Sequence, residues 1–195
     1  PDWWLNQGLG DLYPAYKVNW YDAIAFANRL SVLTGREECY ANTDDPNVDV
    51  NQQYDPDDLD VSFTTPYECN GFRLLTEAEW EYAARSGTTS EFWTGQGSQL
   101  GGTYSYDTTN GTETIVDGVS NPLLRDYTWY SGNNDNQYGA YGTKEVGQKL
   151  PNGFGLYDMH GNIWERTADF YGCSVPPTSS DPYCDSKFSC RVLRG

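Results

Sequence analysis

The residue types best suited to chemistry gather in one stretch, Asn152-Gly153-Phe154-Gly155-Leu156-Tyr157-Asp158-Met159-His160-Gly161-Asn162-Ile163-Trp164-Glu165. It contains the only methionine and the only histidine of the chain, together with three glycines, three aromatic residues and two carboxylates. No helical or strand periodicity runs through it, and glycine at this density suits a backbone bent tightly around something. Asp158 and Glu165 lie among main-chain carbonyls that can turn inward. That combination suits a hard cation such as calcium, which takes about six to eight oxygen ligands from carboxylates and carbonyls. The residues themselves leave a second reading open: an irregular core loop anchored by its tryptophan and tyrosine.

The other reactive side chains form weaker patterns. Cys39, Cys69, Cys173, Cys184 and Cys190 make no C-x-x-C pair and stand apart from His160, which argues against zinc. Their odd number leaves at least one thiol free or paired outside this chain. Cys190 has no base near it in sequence, so a structural disulfide is a simpler reading than a nucleophile. His160 is read as a support for its own loop. Glu77 and Glu81, one helical turn apart, read as a solvated face and not as an acid/base pair. The acidic run from Asp55 to Asp60 lacks the turn glycine and closing glutamate of an EF-hand and reads as a solvated loop. Asn110-Gly111-Thr112 matches a glycosylation acceptor, a pattern short enough to arise by chance.

Bulk composition narrows the partners. The net charge of -16 offers no basic patch to phosphates and disfavours both nucleic acid and an anionic membrane surface. No apolar run approaches the length needed to span a bilayer, and no part of residues 1–195 reads as a secretory signal, which leaves open one removed ahead of Pro1. The 195 residues suffice for a single domain over 1–195 with a real core. Sixteen tyrosines, seven tryptophans and twenty glycines predict a core of large rings between irregular loops, with little regular secondary structure. Scattered cysteines in an acidic, tyrosine-rich chain suit an oxidising compartment, either extracellular or periplasmic.

Two helices are predicted to position these residues. In the first, Asn19 is the N-cap with Asp22 at N3, Trp20, Ala23, Ile24, Ala27 and Leu30 share a face, and Gly35 closes the helix. In the second, Thr76-Glu77-Ala78-Glu79 is a capping box, Leu75 and Trp80 are spaced as a hydrophobic staple, Trp80, Ala83 and Ala84 form the buried face, and Gly87 is the stop. Between them, residues 36–71 read as an acidic insert whose ends are tied by a Cys39–Cys69 disulfide. Residues 88–149 read as loop with short strands, as at Thr112 to Val116. Trp164 to Phe170 and Arg191 to Gly195 carry strand character.

Three blocks together resemble the formylglycine-generating enzyme or sulfatase-modifying-factor superfamily. They are Val18-Asn19-Trp20-Tyr21-Asp22-Ala23, then Phe72 through Arg85, then Val146-Gly147 through Glu165 and on to Arg191-Val192-Leu193-Arg194-Gly195. The resemblance implies an α+β, C-type-lectin-like fold with two main helices and short antiparallel strands. It also implies that the N-terminal and C-terminal strands of that fold lie outside residues 1–195. In the family the glycine-rich loop holds a structural calcium. By that likeness its ligands here are the side chain of Asp158, the carbonyls of Gly161 and Ile163, and the side chain of Glu165. A second, upstream calcium of some members has its nearest counterpart in Ser131 to Asn136, where the spacing matches poorly.

The catalytic members are copper-dependent oxidases whose two cysteines, spaced C-x4-C, follow the Arg-Gly-Gly-Ser-Trp that continues from Val-Leu-Arg-Gly. Cys184 and Cys190 precede that Arg-Gly with five residues between them and do not fill those positions. Copper is therefore expected only if such a segment follows Gly195. Leu75 stands where the family usually has proline, and Arg166 where it usually has tryptophan. Iron-dependent, sulfoxide-forming relatives need a His-rich partner domain that a chain with one histidine cannot supply. The expectation is a calcium-stabilised extracellular or cell-surface domain that binds a protein or glycan ligand, or assembles with other chains that complete the fold. The alternative is a fragment of a formylglycine-generating oxidase involved in sulfatase maturation.

Overall fold

A computed structural model describes residues 10–42, 59–61, 66–90, 92–94, 103–107, 112–116, 126–129, 134, 142–172, 180–185 and 190–195. The elements run α1 (Trp20–Leu33), β1 (Tyr40–Asn42), β2 (Leu59–Val61), a 3-10 turn (Pro66–Glu68), α2 (Glu77–Arg85), β3 (Thr103–Asp107), β4 (Thr112–Val116), β5 (Glu165–Phe170) and β6 (Arg191–Arg194). The strands form three antiparallel pairs, β1 with β2, β3 with β4 and β5 with β6. The sparse regular structure is that expected from the composition, and the α+β class is that implied by the resemblance. No described helix is long and apolar enough to cross a membrane. The chain divides into two compact units, residues 17–80 with 165–194 and residues 1–16 with 81–164 and Gly195.

The unit of residues 17–80 and 165–194 is built on α1. Asn19 Oδ1 accepts from the Asp22 amide at 2.9 Å and Asp22 Oδ2 accepts from the Asn19 amide at 3.0 Å, so two amides lacking intrahelical partners are satisfied reciprocally. The helix ends at Thr34, and Gly35 takes the left-handed turn at φ 70°, which a side chain would oppose. The buried stripe is Trp20, Ile24, Ala27 and Ser31; Leu30 is only half-buried. A serine holds the fourth place because its hydroxyl is satisfied twice: Ser31 Oγ donates to the Ala27 carbonyl at 3.0 Å and accepts from the Phe72 amide at 2.7 Å.

Trp20, Ile24, Ala27, Cys39 and Tyr40 form the core, with Tyr21, Cys69 and Leu74 against it. The Cys39–Cys69 disulfide is present, with Cα atoms 5.6 Å apart, and closes the neck of the insert. Restricting a loop of this size in the unfolded chain contributes about 3–4 kcal/mol on the chain-entropy account. The same neck is held by Arg36 to the Asn70 carbonyl, by the Asn70 amide to Glu37, and by the Leu74 amide donating to the Tyr40 hydroxyl at 2.9 Å. Burial pushes the Tyr40 hydroxyl up to about 12. Strands β1 and β2 lie inside the insert, so it is not wholly loop as expected; Asp55 to Asp58 lie outside the described residues.

Strand β5 is buried at four consecutive positions, Thr167 to Phe170. Both edges are used: Trp20 Nε1 donates to the Thr167 carbonyl at 2.9 Å, and the Ala168 amide donates to Leu75 O at 2.8 Å. Leu75 is 41% exposed, and its main-chain carbonyl is what holds β5. Opposite Phe170 on β6, the Arg191 guanidinium lies between the Phe170 and Trp20 rings, 3.4 and 3.9 Å from their centroids.

The capping box of α2 forms as predicted. Thr76 Oγ1 accepts from the Glu79 amide at 3.1 Å, and Glu79 Oε2 accepts from the Thr76 amide at 2.9 Å. Arg73 also grips Glu79 with both nitrogens, at 2.7 and 2.8 Å. Burial alone would raise the Glu79 carboxyl; Arg73 and the Thr76 amide outweigh it and hold the group below its ordinary value of 4.5. Because the folded chain binds this proton more weakly, the contribution is full above about 4.5 and is lost as pH falls through the lower folded value. Glu79→Gln should cost about 2 kcal/mol at neutral pH and flatten this part of the acid limb, read from urea midpoints against pH. Glu77 pairs with Arg194 at 2.5 Å and Glu81 with Arg85 at 2.8 Å, so both carboxylates of the supposed solvated face are ion-paired.

Candidate metal site

In the unit containing residues 81–164, the stretch from Asn152 is organised by one buried amide. Asn152 Nδ2 donates to the Ala83 carbonyl at 2.7 Å, near the end of α2, where carbonyls have no intrahelical partner. Its Oδ1 accepts from the Phe154 and Leu156 amides, both at 3.0 Å, and its own amide donates to the Leu156 carbonyl at 2.8 Å. Ser86 Oγ accepts a second bond from the Phe154 amide at 2.9 Å. This asparagine, missed when the sequence was read for chemistry, is what docks the loop; an Asn-Gly pair opening a glycine-rich stretch was its only local signal.

Asp158 and Asn162 have positive φ, 55° and 66°, a conformation that Asp and Asn tolerate better than most residues because their short side chains bond locally. Asn162 Oδ1 accepts from the Lys144 amide at 2.9 Å and its Nδ2 donates to the Lys144 carbonyl at 3.2 Å. Asp158 Oδ2 accepts from the Gly147 amide at 2.8 Å. Its Oδ1 is buried and has no hydrogen-bond partner among the described residues. A buried carboxylate oxygen without a donor is costly, and a cation is one group that would satisfy it.

Gly161 lies in a parallel bridge with Trp129, and a Cβ there would overlap the Trp129 carbonyl oxygen. The Asn162 amide donates to that same carbonyl at 3.2 Å, and the Gly161 carbonyl accepts from the Ile163 amide at 2.9 Å. The Ile163 carbonyl faces Gly195, where a side chain would collide with it. Lys149 Nζ sits 4.0 Å from the centre of the Trp129 ring. His160 meets the Phe92 ring edge-on at 5.3 Å; burial lowers its pKa, while a main-chain bond with Ala84 opposes the shift.

Asp158, Gly161 and Ile163 thus share one unit, whereas Glu165 opens β5 in the other. There, Glu165 Oε2 accepts from the indole of buried Trp80 at 2.7 Å. Among the described residues no three of His, Cys, Asp and Glu cluster, so a cation at this loop would depend on carbonyls beside its carboxylates. The orphaned Asp158 oxygen fits that donor set. The described residues do not fit a two-thiolate copper site, since Cys184 is already disulfide-bonded. Of the upstream candidates only Asn134 is described: its Nδ2 donates to the Gly142 carbonyl at 2.9 Å and its buried Oδ1 has no partner among the described residues. The rest of Ser131 to Asn136 lies outside the described residues, as do Asn110 and Gly111 of the glycosylation pattern.

The family model for the sulfatase-modifying factor enzyme 1-like domain matches residues 6–195. The chain is 34% identical over 179 residues to the chaperone protein LppX of Paenibacillus barcinonensis, covering 91% of this chain and 59% of that protein. It is 41% identical over 105 residues to the formylglycine-generating enzyme of Mycobacterium tuberculosis, covering 52% of this chain and 28% of the enzyme. Among solved structures, Treponema denticola variable protein 1 superposes with a TM-score of 0.63 at 29% identity, over 97% of this chain and 62% of that one. PvdO from Pseudomonas aeruginosa superposes with a TM-score of 0.55 at 25% identity, over 96% of this chain and 51% of that one. The chain spans less than two thirds of the length of each of these proteins.

Proposed function

Because this chain belongs to the sulfatase-modifying factor enzyme 1-like family, we propose that it is a calcium-stabilised binding or assembly domain working outside the cytoplasm. The observation that carries the calcium reading is the buried Asp158 oxygen with no donor, in a loop whose Gly161 and Ile163 carbonyls lie in the same unit. Bound there, a calcium ion would supply charge neutralisation and a crosslink between carbonyls. The chain's own residues shape the loop: Gly147 holds Asp158 through one oxygen, Asn162 ties the loop to Lys144, and Asn152 docks it.

The binding role is favoured by coverage, since the chaperone-named relative matches 91% of the chain and the mycobacterial oxidase 52%. An oxidising compartment is supported by the Cys39–Cys69 and Cys184 disulfides. The oxidase reading retains one observation in its favour, the 41% identity to the mycobacterial enzyme over the shared segment. Adding calcium to chelator-stripped protein at about a hundredfold over its dissociation constant should stabilise by about 2.7 kcal/mol and raise the melting temperature by roughly 5–10 °C. Asp158→Ala should abolish that rise, and an identical melting curve with and without chelator would remove the calcium site. Formation of an aldehyde on a cysteine-containing sulfatase peptide, by the copper-treated protein, would instead establish the oxidase.

A further inference from the structure

We propose that an exposed apolar tract on the unit of residues 81–164 docks an extended partner segment that is both apolar and cationic. The inference rests on the binding role above and names the class of partner. Six large side chains make the tract: Leu12, Tyr82, Val146, Phe154, Leu156 and Tyr157, each at least 40% exposed. One ring contact, one main-chain bond and the continuity of the chain relate them. The Val146 amide donates to the Leu12 carbonyl at 2.8 Å, and a Cβ on the next residue, Gly147, would lie 3.9 Å from the Tyr157 ring. Phe154 to Tyr157 then carry the strip to Tyr82, whose ring centre is 5.5 Å from that of Phe154. Exposed apolar surface gathered in this way marks an interaction face, whereas single scattered residues do not.

The carboxylates at its edge select the partner's charge. Asp11, Glu81 and Glu145 immediately precede Leu12, Tyr82 and Val146, so three of the six apolar residues directly follow a carboxylate in sequence. Arg85 offsets Glu81 through an ion pair, and Lys144 is directed toward the Trp129 ring at 5.9 Å. Beyond the edge the whole chain carries a net charge of -16, so a cationic segment is drawn toward the strip and an acidic one is repelled. The same charge opposes docking on an anionic bilayer.

The test uses a fluorescent, cysteine-free peptide alternating leucine and lysine, titrated by anisotropy in calcium-saturated buffer. Without cysteine the peptide cannot report recognition of an oxidase substrate, and loss of the calcium response would appear in melting curves and not in this titration. Saturable binding is expected, weakening as salt rises and weakening about tenfold or more in Tyr82→Ser/Phe154→Ser. Val146→Ser, which leaves the Tyr82–Phe154 contact intact, should weaken it several-fold while the melting curve stays that of the parent. Equal binding of a leucine–glutamate peptide, or no effect of either variant, would overturn the proposal. So would protection of Tyr82 and Tyr157 from oxidative footprinting before any peptide is added, because another segment would then already cover the strip. Binding to phosphatidylserine vesicles in preference to the peptide would also count against it.

Discussion

Asp169→Ala is expected to lower the unfolding free energy by about 3–5 kcal/mol, because it strands one buried and one part-buried main-chain donor and removes a charge that faces Arg191. Asp169 is 3% exposed, yet it belongs to neither the candidate site nor the capping box. Its Oδ2 accepts from the Glu77 amide at 2.6 Å, satisfying a first-turn amide that the capping box leaves over, and its Oδ1 accepts from the Cys184 amide at 2.8 Å. One carboxylate therefore joins β5, the start of α2 and the segment around Cys184. Asp169→Asn retains one acceptor but turns an NH2 toward one of the two amides, so it should recover only part of the loss. The midpoint of urea unfolding, with the m-value checked for constancy, measures both variants. An alanine variant within 1 kcal/mol of the parent would show that water replaces the carboxylate.

The pH dependence of this group has the opposite sign to that of Glu79. Burial pushes the Asp169 carboxyl above its ordinary value, against the pull of the Glu77 and Cys184 amides and of Arg191. The folded chain then holds this proton more tightly than the unfolded chain does. The contribution is greatest below the unfolded value of 3.8 and falls as pH rises through the folded one. Acid loss of stability is accordingly assigned to Glu79 and its bidentate Arg73, and Asp169 partly offsets it.

Gly161→Ala should cost about 3 kcal/mol or more and abolish the calcium response, whereas Gly155→Ala should cost only about 1–2 kcal/mol. Both glycines have positive φ, 97° and 80°. At Gly155 a methyl group would meet nothing, so only backbone conformation is penalised. At Gly161 it would overlap the main-chain oxygen of Trp129, which cannot swing away as a side chain could. Relief requires the Trp129–Gly161 bridge to open, and with it the bond from the Asn162 amide to the Trp129 carbonyl, which moves the Gly161 and Ile163 carbonyls out of place. Melting curves with and without calcium separate the two terms. Equal losses at both glycines would show that close packing at Gly161 is unimportant.

What the sequence determined by itself lies within short reach along the chain. Asn19 with Asp22 and Thr76 with Glu79 close their capping boxes three residues apart, and Gly35 ends α1 through its own backbone freedom. Strand β4 occupies Thr112–Val116, where weak alternation was visible, and the Cys39–Cys69 pair could be read from the polar insert that it brackets. The two carboxylates of the glycine loop were visible too, although the ligand set came from likeness to a family and not from spacing.

The tertiary structure decided the rest. Ser31 displaces Leu30 from the buried stripe because a partner 41 residues away, the Phe72 amide, satisfies its hydroxyl. Strands β1 and β2 pair across the insert, and β3 was invisible until it met β4. Trp20 with Thr167, Trp80 with Glu165 and Glu77 with Asp169 join residues 147, 85 and 92 positions apart. Capping and turn preferences are properties of a few consecutive residues, so they are written locally. A buried polar group instead takes whichever partner folding brings to it, and no local pattern specifies that partner.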